Sequence, residues 1–203
     1  MRHVRRAGDN ALLVDVDEHD VDGLARALRL SGQPGVVEVV AGASSVLVAL
    51  TPYADRAAVS TLLATVEPLT RTPATVELVT LDVRYDGADL DDVAALTGLS
   101  RADVVRRHTA AQYEVAFCGF SPGFAYLRGL DPALRVPRLD SPRTHVAAGS
   151  VAVADRWSAV YPRESPGGWR LLGTTDASLW DLGRTRPALL TDGMTVRFRE
   201  AAS

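Results

Sequence analysis

Five residues in the middle of the chain match the pattern G-x-S-x-G: Gly119-Phe120-Ser121-Pro122-Gly123. In α/β-hydrolases this pattern forms a sharp turn that exposes a nucleophilic serine, and the backbone N–H after the serine helps to form the oxyanion hole. Here the following residue is Pro122, which has no N–H to donate. The segment therefore predicts a turn in which Ser121 faces solvent and is not a nucleophile.

Four arginines lie between residues 128 and 143: Arg128, Arg135, Arg138 and Arg143. The last two directly follow a proline, which stiffens the backbone before a planar fork of donors that suits a carboxylate or phosphate. The alternative is that the arginines pair with Asp131 and Asp140 on a loop. The pattern favours a ligand role for Arg138 and Arg143.

Two glycine-containing segments are further candidates for ligand-binding turns: Ala148-Gly149-Ser150 and Ser165-Pro166-Gly167-Gly168-Trp169. Pro166-Gly167 predicts a type II turn, because glycine accepts the positive φ of the third turn position. Paired glycines also let backbone N–H groups approach an anion closely. Trp169 either covers a flat substrate or fills the core.

The histidines and the cysteine indicate no metal site. His108 lies on a predicted helix and His145 directly precedes a predicted strand, and no histidine pair has metal-ligand spacing with a third partner. Cys118 lies in an apolar segment, where a small buried hydrophobe is a better interpretation than a nucleophile.

All 22 basic residues of the chain are arginine. A chain without lysine has no Walker A lysine, no kinase strand lysine, no Schiff-base lysine and no lysine that carries biotin. The net charge of −3 gives no electrostatic footprint for a nucleic-acid partner.

Targeting signals are not evident in the sequence. No apolar run approaches the ~20 residues that span a bilayer, so no membrane association is expected. The charged N-terminal residues are not followed by the apolar stretch of a secretory signal. The single cysteine excludes an internal disulfide. Together these features predict a cytoplasmic protein.

The hydrophobic periodicity predicts two domains, residues 1–73 and 74–203. The first contains alternating strands and helices, at Ala11–Val16, Asp20–Leu30, Val36–Val40, Ser45–Leu50 and Ala54–Val66. This order, followed by another strand, predicts a small α/β sandwich of ferredoxin-like layout.

The second domain carries the candidate site. It begins with a predicted strand at Val76–Tyr85 and two helices whose N-caps are Asp89 and Ser100. From Tyr113 onward, short apolar runs alternate with turns rich in glycine and proline. This pattern predicts a closed or sandwiched β structure with long functional loops. The predicted fold class of the chain is therefore α+β.

The order of these motifs resembles that of a known family. The shared segments are Tyr85-Asp86-Gly87, Asp89-Leu90, Gly98-Leu99-Ser100, His108, Gly119–Leu127, Gly129–Pro132, Pro137-Arg138, Pro142-Arg143, Gly149–Val151, Tyr161-Pro162 and Ser165–Trp169. Over roughly residues 4–200 the chain resembles the KipI/PxpB family, also known as allophanate hydrolase subunit 1 or carboxyltransferase domain C/D. The resemblance implies a ferredoxin-like domain joined to a cyclophilin-like β-barrel.

The resemblance also implies an activity and partners. It implies a hetero-oligomer with a KipA/PxpC-type subunit and a lactam-opening PxpA-type subunit, which together hydrolyse 5-oxoproline to glutamate with ATP. ATP would be bound by this chain or by the partner. An allophanate-hydrolase-like activity, a KipI-type histidine-kinase inhibitor and half of a carboxyltransferase unit are the alternatives. The last requires biotin on a partner, since this chain has no lysine.

Within that hydrolase hypothesis the polar groups on rigid turns are assigned roles. The catalytic candidates are Arg143, which would stabilise carboxylate or phosphoryl charge, and His145 and Tyr161, either of which would move a proton. The substrate-binding candidates are Phe120, Pro122, Gly123, Arg138, Gly149, Ser150, Ser165, Gly167, Gly168 and Trp169.

The chain departs from the family pattern at two places, and the first departure leaves the exact substrate open. Where the family usually has Gly-Arg-Thr, this chain has Gly173-Thr174-Thr175, so a guanidinium is missing. The family's Val-Pro-x-Gly-Ser is replaced by Val146-Ala147-Ala148-Gly149-Ser150, which is a milder change.

Overall fold

A computed structural model describes residues 2–70 and 77–201 of the chain. Its internal contacts divide the chain into two compact units, Met1–Ala74 and Thr75–Ser203. The domain boundary predicted after residue 73 lies outside the described residues. None of the helices in the described ranges is long and apolar enough to cross a membrane.

The first unit is a four-stranded antiparallel sheet with two helices. Its elements are β1 (Val4–Arg6), β2 (Ala11–Asp15), α1 (Val21–Leu30), β3 (Val36–Ala41), β4 (Ser45–Leu50) and α2 (Arg56–Thr65), with a 3-10 helix at Glu18–Asp20 before α1. The sheet order is β1-β2-β4-β3. Burial alternates along β2 and β4, so one sheet face forms the core.

The order β2-α1-β3-β4-α2 reproduces the predicted ferredoxin-like layout, with one difference at the sheet edge. The edge position beside β2 is filled by β1, which precedes β2 in the chain and pairs with it antiparallel. The strand predicted after α2 is instead β5 (Leu78–Val83), and it pairs within the second unit. Sequence order alone cannot distinguish these two ways of completing a sheet.

The second unit contains a seven-stranded sheet, a two-stranded sheet and two helices. After β5 its elements are α3 (Leu90–Thr97), α4 (Arg101–Ala110), β6 (Tyr113–Cys118), β7 (Ala125–Arg128), β8 (Arg143–Val146), β9 (Ser150–Ala154), β10 (Trp157–Val160), β11 (Ser165–Gly167), β12 (Arg170–Thr174) and β13 (Thr195–Glu200), with a 3-10 helix at Pro132–Leu134. The large sheet has the order β12-β9-β10-β7-β6-β13-β5, and β8 pairs with β11.

A pair of backbone hydrogen bonds joins the two ends of the seven-stranded sheet. The N–H of Arg84, directly after β5, donates to the Thr174 carbonyl at 2.8 Å, and the Thr174 N–H donates back at the same distance. A further bond runs from Gly87 N–H to the Leu172 carbonyl at 3.1 Å. The sheet therefore closes into a barrel around an apolar core, and the predicted α+β fold is confirmed.

A β-bulge in β6 moves one aromatic side chain to the outside of the barrel. Val115 lies opposite Leu127, but the next paired positions are Phe117 and Tyr126. The extra residue reverses the side-chain alternation, because successive strand residues point to opposite faces. Val115 and Leu127 belong to the barrel core, whereas the rings of Phe117 and Tyr126 stack on each other with centroids 4.3 Å apart.

The two predicted helix caps have different outcomes. Ser100 accepts a hydrogen bond from the Asp103 N–H at 3.1 Å and caps α4 as predicted. Asp89 occupies the N-cap position of α3 as predicted, but its side chain makes no capping hydrogen bond. The Asp89 carboxylate is buried and is used elsewhere, in the candidate site.

Candidate functional site

Six aromatic side chains form a cluster against the barrel, with ring centroids 4.3–6.1 Å apart. We call it the aromatic cluster; its members are Phe117, Phe124, Tyr126, Trp157, Tyr161 and Trp169. The bulge in β6 supplies the first of these rings, and loops around β10 and β11 supply Tyr161 and Trp169. Tyr126 is the common neighbour of both tryptophans.

Arg138 places a positive charge on this cluster. Its guanidinium carbon lies 5.7 Å from the centre of the Trp169 ring, within cation–π range. Burial raises the pKa of Tyr126 and of Tyr161 above the usual value, and the charge of Arg138 opposes that shift at both residues. Both phenols are therefore protonated at neutral pH and are available as hydrogen-bond donors, not as bases.

Gly167 is required by the position of Tyr161. A Cβ atom at residue 167 would lie 2.2 Å from the Tyr161 hydroxyl oxygen. The predicted type II turn at Pro166-Gly167 is wrong, because Ser165–Gly167 is strand β11 and Gly167 does not have a positive φ. Gly168 lies beside Pro142, and its carbonyl accepts from the Leu139 N–H at 2.8 Å. These glycines thus allow close packing at the edge of the cluster.

Arg143, on β8, is held by a buried carboxylate. Its Nη2 donates to Asp89 Oδ1 at 2.6 Å, and Asp89 Oδ2 accepts from the Leu171 N–H at 2.7 Å. The Asp89 side chain is only 4% exposed. The other guanidinium nitrogen, Nη1, is buried and has no hydrogen-bond partner in the described part of the chain. A buried donor of this kind is costly to leave unpaired, which favours a ligand or solvent oxygen as its partner.

His145 does not join this group of residues. Its Nδ1 lies 2.9 Å from Glu164 Oε1, and the two side chains are 76% and 68% exposed. The structure thus places this catalytic candidate in an exposed hydrogen-bonded pair with Glu164, and exposed pairs contribute little to stability. Ser165 follows Glu164 directly in the chain, and its Oγ is buried without a hydrogen-bond partner among the described residues.

The backbone N–H groups of Gly149 and Ser150 donate to carbonyl groups of the chain and are therefore not presented to a ligand. Gly149 has a φ of +81°, and a Cβ there would lie 2.3 Å from the Thr175 carbonyl oxygen. Its N–H donates to the Tyr161 carbonyl at 2.8 Å, and the Ser150 N–H donates to Ala147 at 3.3 Å. These two residues therefore fix the backbone that carries Tyr161.

The segment 119–123 forms two consecutive turns. The Ser121 N–H donates to the Gly119 carbonyl at 2.8 Å, which closes a three-residue turn around Phe120. Phe120 has a φ of 67°, a strained conformation for a residue with a large side chain. The second turn places Gly123 at a φ of 83°. The prediction that Ser121 faces solvent is wrong, because its Oγ is buried without a hydrogen-bond partner among the described residues.

The same segment lines an open cleft of about 600 Å³ beside the aromatic cluster. Its walls comprise residues 118–123 together with Trp180, Ala188, Leu190, Thr191 and Asp192. Three substrate-binding candidates thus share this cleft, which we call the 119–123 cleft: Phe120, Pro122 and Gly123. Phe120 is 63% exposed, and its ring lies 5.2 Å from that of Phe124, in the aromatic cluster.

Two titratable residues with shifted pKa values are not suited to nucleophilic or acid–base catalysis. Burial, together with the charge of Asp192, raises the pKa of Cys118 to about 12, so its thiol stays protonated. Burial lowers the pKa of His108 to about 3, and the residue is fully buried between Tyr85 and Ser158. Both observations favour packing roles.

Several residues of the site are not among the predicted site residues: Asp89 and the cluster members Phe117, Phe124, Tyr126 and Trp157. Tyr126 escapes prediction because the bulge that pairs it with Phe117 leaves no clear signal in the sequence. Asp89 resembles a helix cap in the sequence, whereas its contact with Arg143 spans 54 positions of the chain. At the position of the missing family arginine, the Thr174 hydroxyl donates to Asp86 Oδ1 at 3.0 Å.

One group of side chains in the first unit has metal-ligand character. The ligand atoms of Asp17, His19 and Asp20 lie within 4.8 Å of one another, and the first two side chains are exposed. Exposed acidic groups are common without an ion, so this group is weak evidence for a metal site. The absence of a metal site stays a prediction.

The family model of the carboxyltransferase domain, subdomain C and D, matches residues 2–190. The chain therefore belongs to this family. A 5-oxoprolinase subunit of Escherichia coli O157:H7 is 41% identical over 182 residues, which cover 85% of this chain and 81% of the relative. The protein of the same name from Bacillus subtilis (strain 168) is 41% identical over 112 residues, but the match covers only 47% of its length.

Solved structures agree with the fold. The crystal structure of TTHA0988 superposes with a TM-score of 0.81 at 35% identity; the match covers 95% of this chain but 40% of that chain. The Kluyveromyces lactis urea carboxylase gives a TM-score of 0.82 at 22% identity, covering 99% of this chain and 22% of the other, and this likeness concerns the fold alone. The KipI/PxpB resemblance and the cyclophilin-like barrel are thus confirmed.

Proposed function

We propose that the chain is a subunit of a 5-oxoprolinase, a cytoplasmic ATP-dependent hydrolase that opens the lactam of 5-oxoproline to glutamate. The relatives named as 5-oxoprolinase subunits in three bacteria support the assignment. The structural observation that carries it is Arg143, whose Nη1 is buried and lacks a partner among the described residues. A guanidinium presented in this way suits a small carboxylate.

Residues in and beside the aromatic cluster supply further groups that could bind the substrate. Arg138 adds a second positive charge over Trp169, and the protonated hydroxyls of Tyr126 and Tyr161 are potential donors. 5-Oxoproline carries one carboxylate and one lactam carbonyl, so cations would bind the former and phenol donors the latter. In this proposal Tyr161 donates a hydrogen bond to developing negative charge and does not act as a base at neutral pH.

ATP would make the lactam carbonyl reactive. Transfer of the γ-phosphoryl group to the carbonyl oxygen would release ADP. The carbonyl oxygen, a poor leaving group by itself, could then leave as phosphate. Attack by a first water on the same carbon and breakage of the ring C–N bond would give the free amine and an acyl phosphate. A second water would then displace phosphate from that carbon and give glutamate. We propose that a KipA/PxpC-type partner and a PxpA-type lactam-opening subunit complete the site, with ATP held by this chain or shared with the partner.

The family model supports one second candidate, half of a carboxyltransferase unit. That function requires a biotinylated partner, because this chain has no lysine to carry biotin. It predicts that carboxyl transfer depends on added biotinylated protein, whereas lactam hydrolysis does not.

The test is to purify the chain with its native partners and to measure ATP-dependent release of glutamate from 5-oxoproline. We expect activity in the assembly and none in this chain alone. A stable assembly that releases no glutamate would contradict the proposal. Biotin-dependent carboxyl transfer by that assembly would favour the second candidate, and tight binding to a histidine kinase would favour an inhibitor.

A further inference from the structure

Arg170, the first residue of β12, lies next to Trp169 and is not among the predicted site residues. Its Nε donates to the Pro137 carbonyl at 3.1 Å, and its Nη1 donates to Asp92 Oδ2 at 3.3 Å. The Arg170 side chain is only 14% exposed. Its stem is therefore covered by protein, while a carbonyl group and a carboxylate fix the orientation of its guanidinium.

The Pro137 carbonyl belongs to the peptide group that leads into Arg138. Two hydrogen bonds hold the backbone on either side of Arg138. One is the bond from Arg170 to Pro137, and the other runs from the Leu139 N–H to the Gly168 carbonyl at 2.8 Å. The segment 137–139 is therefore held against the segment 168–170, which carries the tryptophan of the aromatic cluster.

The Arg138 side chain contacts one ring and one carboxylate. Its guanidinium carbon lies 5.7 Å from the centre of the Trp169 ring, and its Nε lies 3.9 Å from Asp155 Oδ2. The guanidinium makes no hydrogen bond within the described ranges of the chain, and the side chain is 56% exposed. An arginine side chain carries about 2 kcal/mol of rotamer entropy, so contacts this weak fix its position only when the backbone beneath it is fixed.

The start of α3 holds both arginines of the candidate site. Asp89, at the N-cap position, accepts from Arg143, and Asp92, in the first turn, accepts from Arg170. The same end of one helix thus holds Arg143 directly and acts on Arg138 through Arg170.

We propose that Arg170 is a positioning residue that holds the Arg138 guanidinium over Trp169, where it binds the carboxylate of the substrate. The role of Arg138 toward that carboxylate rests on the proposed function, whereas the control of the segment 137–139 by Arg170 does not. Loss of the Arg170 donors frees the Pro137 carbonyl and lets Arg138 move away from the ring. A contact to a non-reacting carboxylate stabilises the ground state and the transition state alike, so its loss raises KM and leaves kcat nearly unchanged.

The kinetic test is Arg170→Met in the assembled protein. Methionine keeps an unbranched apolar stem but removes every donor. We expect KM for 5-oxoproline to rise about tenfold, with kcat within about twofold of wild type. In an Arg138→Gln background the same change should cause no further rise in KM, because the residue that Arg170 positions is already lost.

Arg107→Met is the matched control, since Arg107 is a partly buried arginine of the same unit and pairs with Asp131 at 2.8 Å. Arg197→Met, at an exposed arginine on β13, is a second control. Both variants should keep the wild-type KM. Thermal unfolding checks that each variant is folded. If Arg170→Met does not fold, Arg170→Lys replaces it, with an expected rise in KM of at least about threefold, because an ammonium lacks the planar fork that reaches both acceptors.

Hydrogen exchange of the intact chain tests the positioning without any activity. The Leu139 N–H should exchange at least about tenfold faster in Arg170→Met than in wild type, and at the wild-type rate in Arg107→Met. An unchanged exchange rate at Leu139, or an unchanged KM in an active Arg170→Met assembly, would overturn the inference. Failure of the proposed function gives a different result: the exchange difference persists, while the wild-type assembly releases no glutamate from 5-oxoproline.

Discussion

At the scale of single residues, the site depends on how Arg143 is held. Asp89 is almost fully buried and uses both carboxylate oxygens, one for Arg143 and one for the Leu171 backbone. Breaking a hydrogen bond between charged groups costs about 1.5–3 kcal/mol, so the position of Arg143 depends strongly on this contact. Asp89 is therefore a positioning residue that acts through Arg143.

The substitution Asp89→Asn tests this role. It keeps an acceptor for the Leu171 N–H but removes the charge that holds Arg143. We expect KM for 5-oxoproline to rise about tenfold or more in the assembled protein. The loss should not add to that of Arg143→Gln, because both changes remove one interaction.

The matched control is Asp176→Asn, which removes the carboxylate of an exposed pair with Arg84. This variant should keep the wild-type KM, since exposed pairs contribute little. An unchanged KM in Asp89→Asn, or effects that simply add in the double variant with Arg143→Gln, would contradict the positioning role.

At the scale of elements, most helices and strands follow from the sequence, and the irregular segments do not. Helix α1 is predicted at Asp20–Leu30 and lies at Val21–Leu30, because its apolar spacing and terminal breakers are local signals. The bulge in β6 and the strand at Ser165–Gly167 depend on pairing with distant strands. Local residue preferences therefore predict a turn where the structure has β11.

The strained turn at Phe120 gives a prediction at this scale. Glycine adopts a φ of 67° without strain, so Phe120→Gly should preserve or raise the melting temperature, because the phenyl ring is largely exposed. The same change removes the ring from the 119–123 cleft, and we expect lower lactam hydrolysis. Thermal unfolding and the glutamate assay measure the two effects separately.

Phe120→Ala is the matched control for this turn. It also removes the ring but retains a Cβ, so activity should fall as in Phe120→Gly without the gain in stability. Full activity in both variants would show that the ring does not contribute to the cleft. A lower melting temperature in Phe120→Gly than in Phe120→Ala would contradict the assignment of strain.

At the scale of the whole molecule, barrel closure and the assembly of the site both depend on long-range contacts. Backbone hydrogen bonds between Arg84 and Thr174 close the sheet, and the Arg143 side chain donates to the Asp89 carboxylate within the same unit. Composition and motif order predict the α+β class and the arginines of the site, but these pairings are not encoded in any local pattern. That is why the sequence indicates a cap at Asp89 and gives no signal for Tyr126.

The stability of the barrel against acid unfolding depends on pH, and we expect buried His108 to contribute to this dependence at mildly acidic pH. Its pKa is lowered to about 3 in the folded state, against about 6.5 in an unfolded chain. Between these values the unfolded state binds more protons, so stability falls as the pH drops below about 6.5. We expect a slope of up to about 1.4 kcal/mol per pH unit between about pH 6 and 4.5 from this residue.

Urea unfolding followed by tryptophan fluorescence measures this slope, because all three tryptophans lie in the second unit. The substitution His108→Gln should flatten the slope in that pH window. Equal slopes for wild type and His108→Gln would contradict this account.

The most direct test of the central claim is the rate of ATP-dependent glutamate release from 5-oxoproline by the assembled protein with Arg143→Gln. We expect kcat/KM to fall at least about tenfold relative to wild type, because the guanidinium with the unpaired nitrogen is lost. The control Arg197→Gln should retain wild-type kcat/KM. An assembled, folded Arg143→Gln protein that hydrolyses 5-oxoproline as fast as wild type would contradict the claim that this arginine binds the substrate.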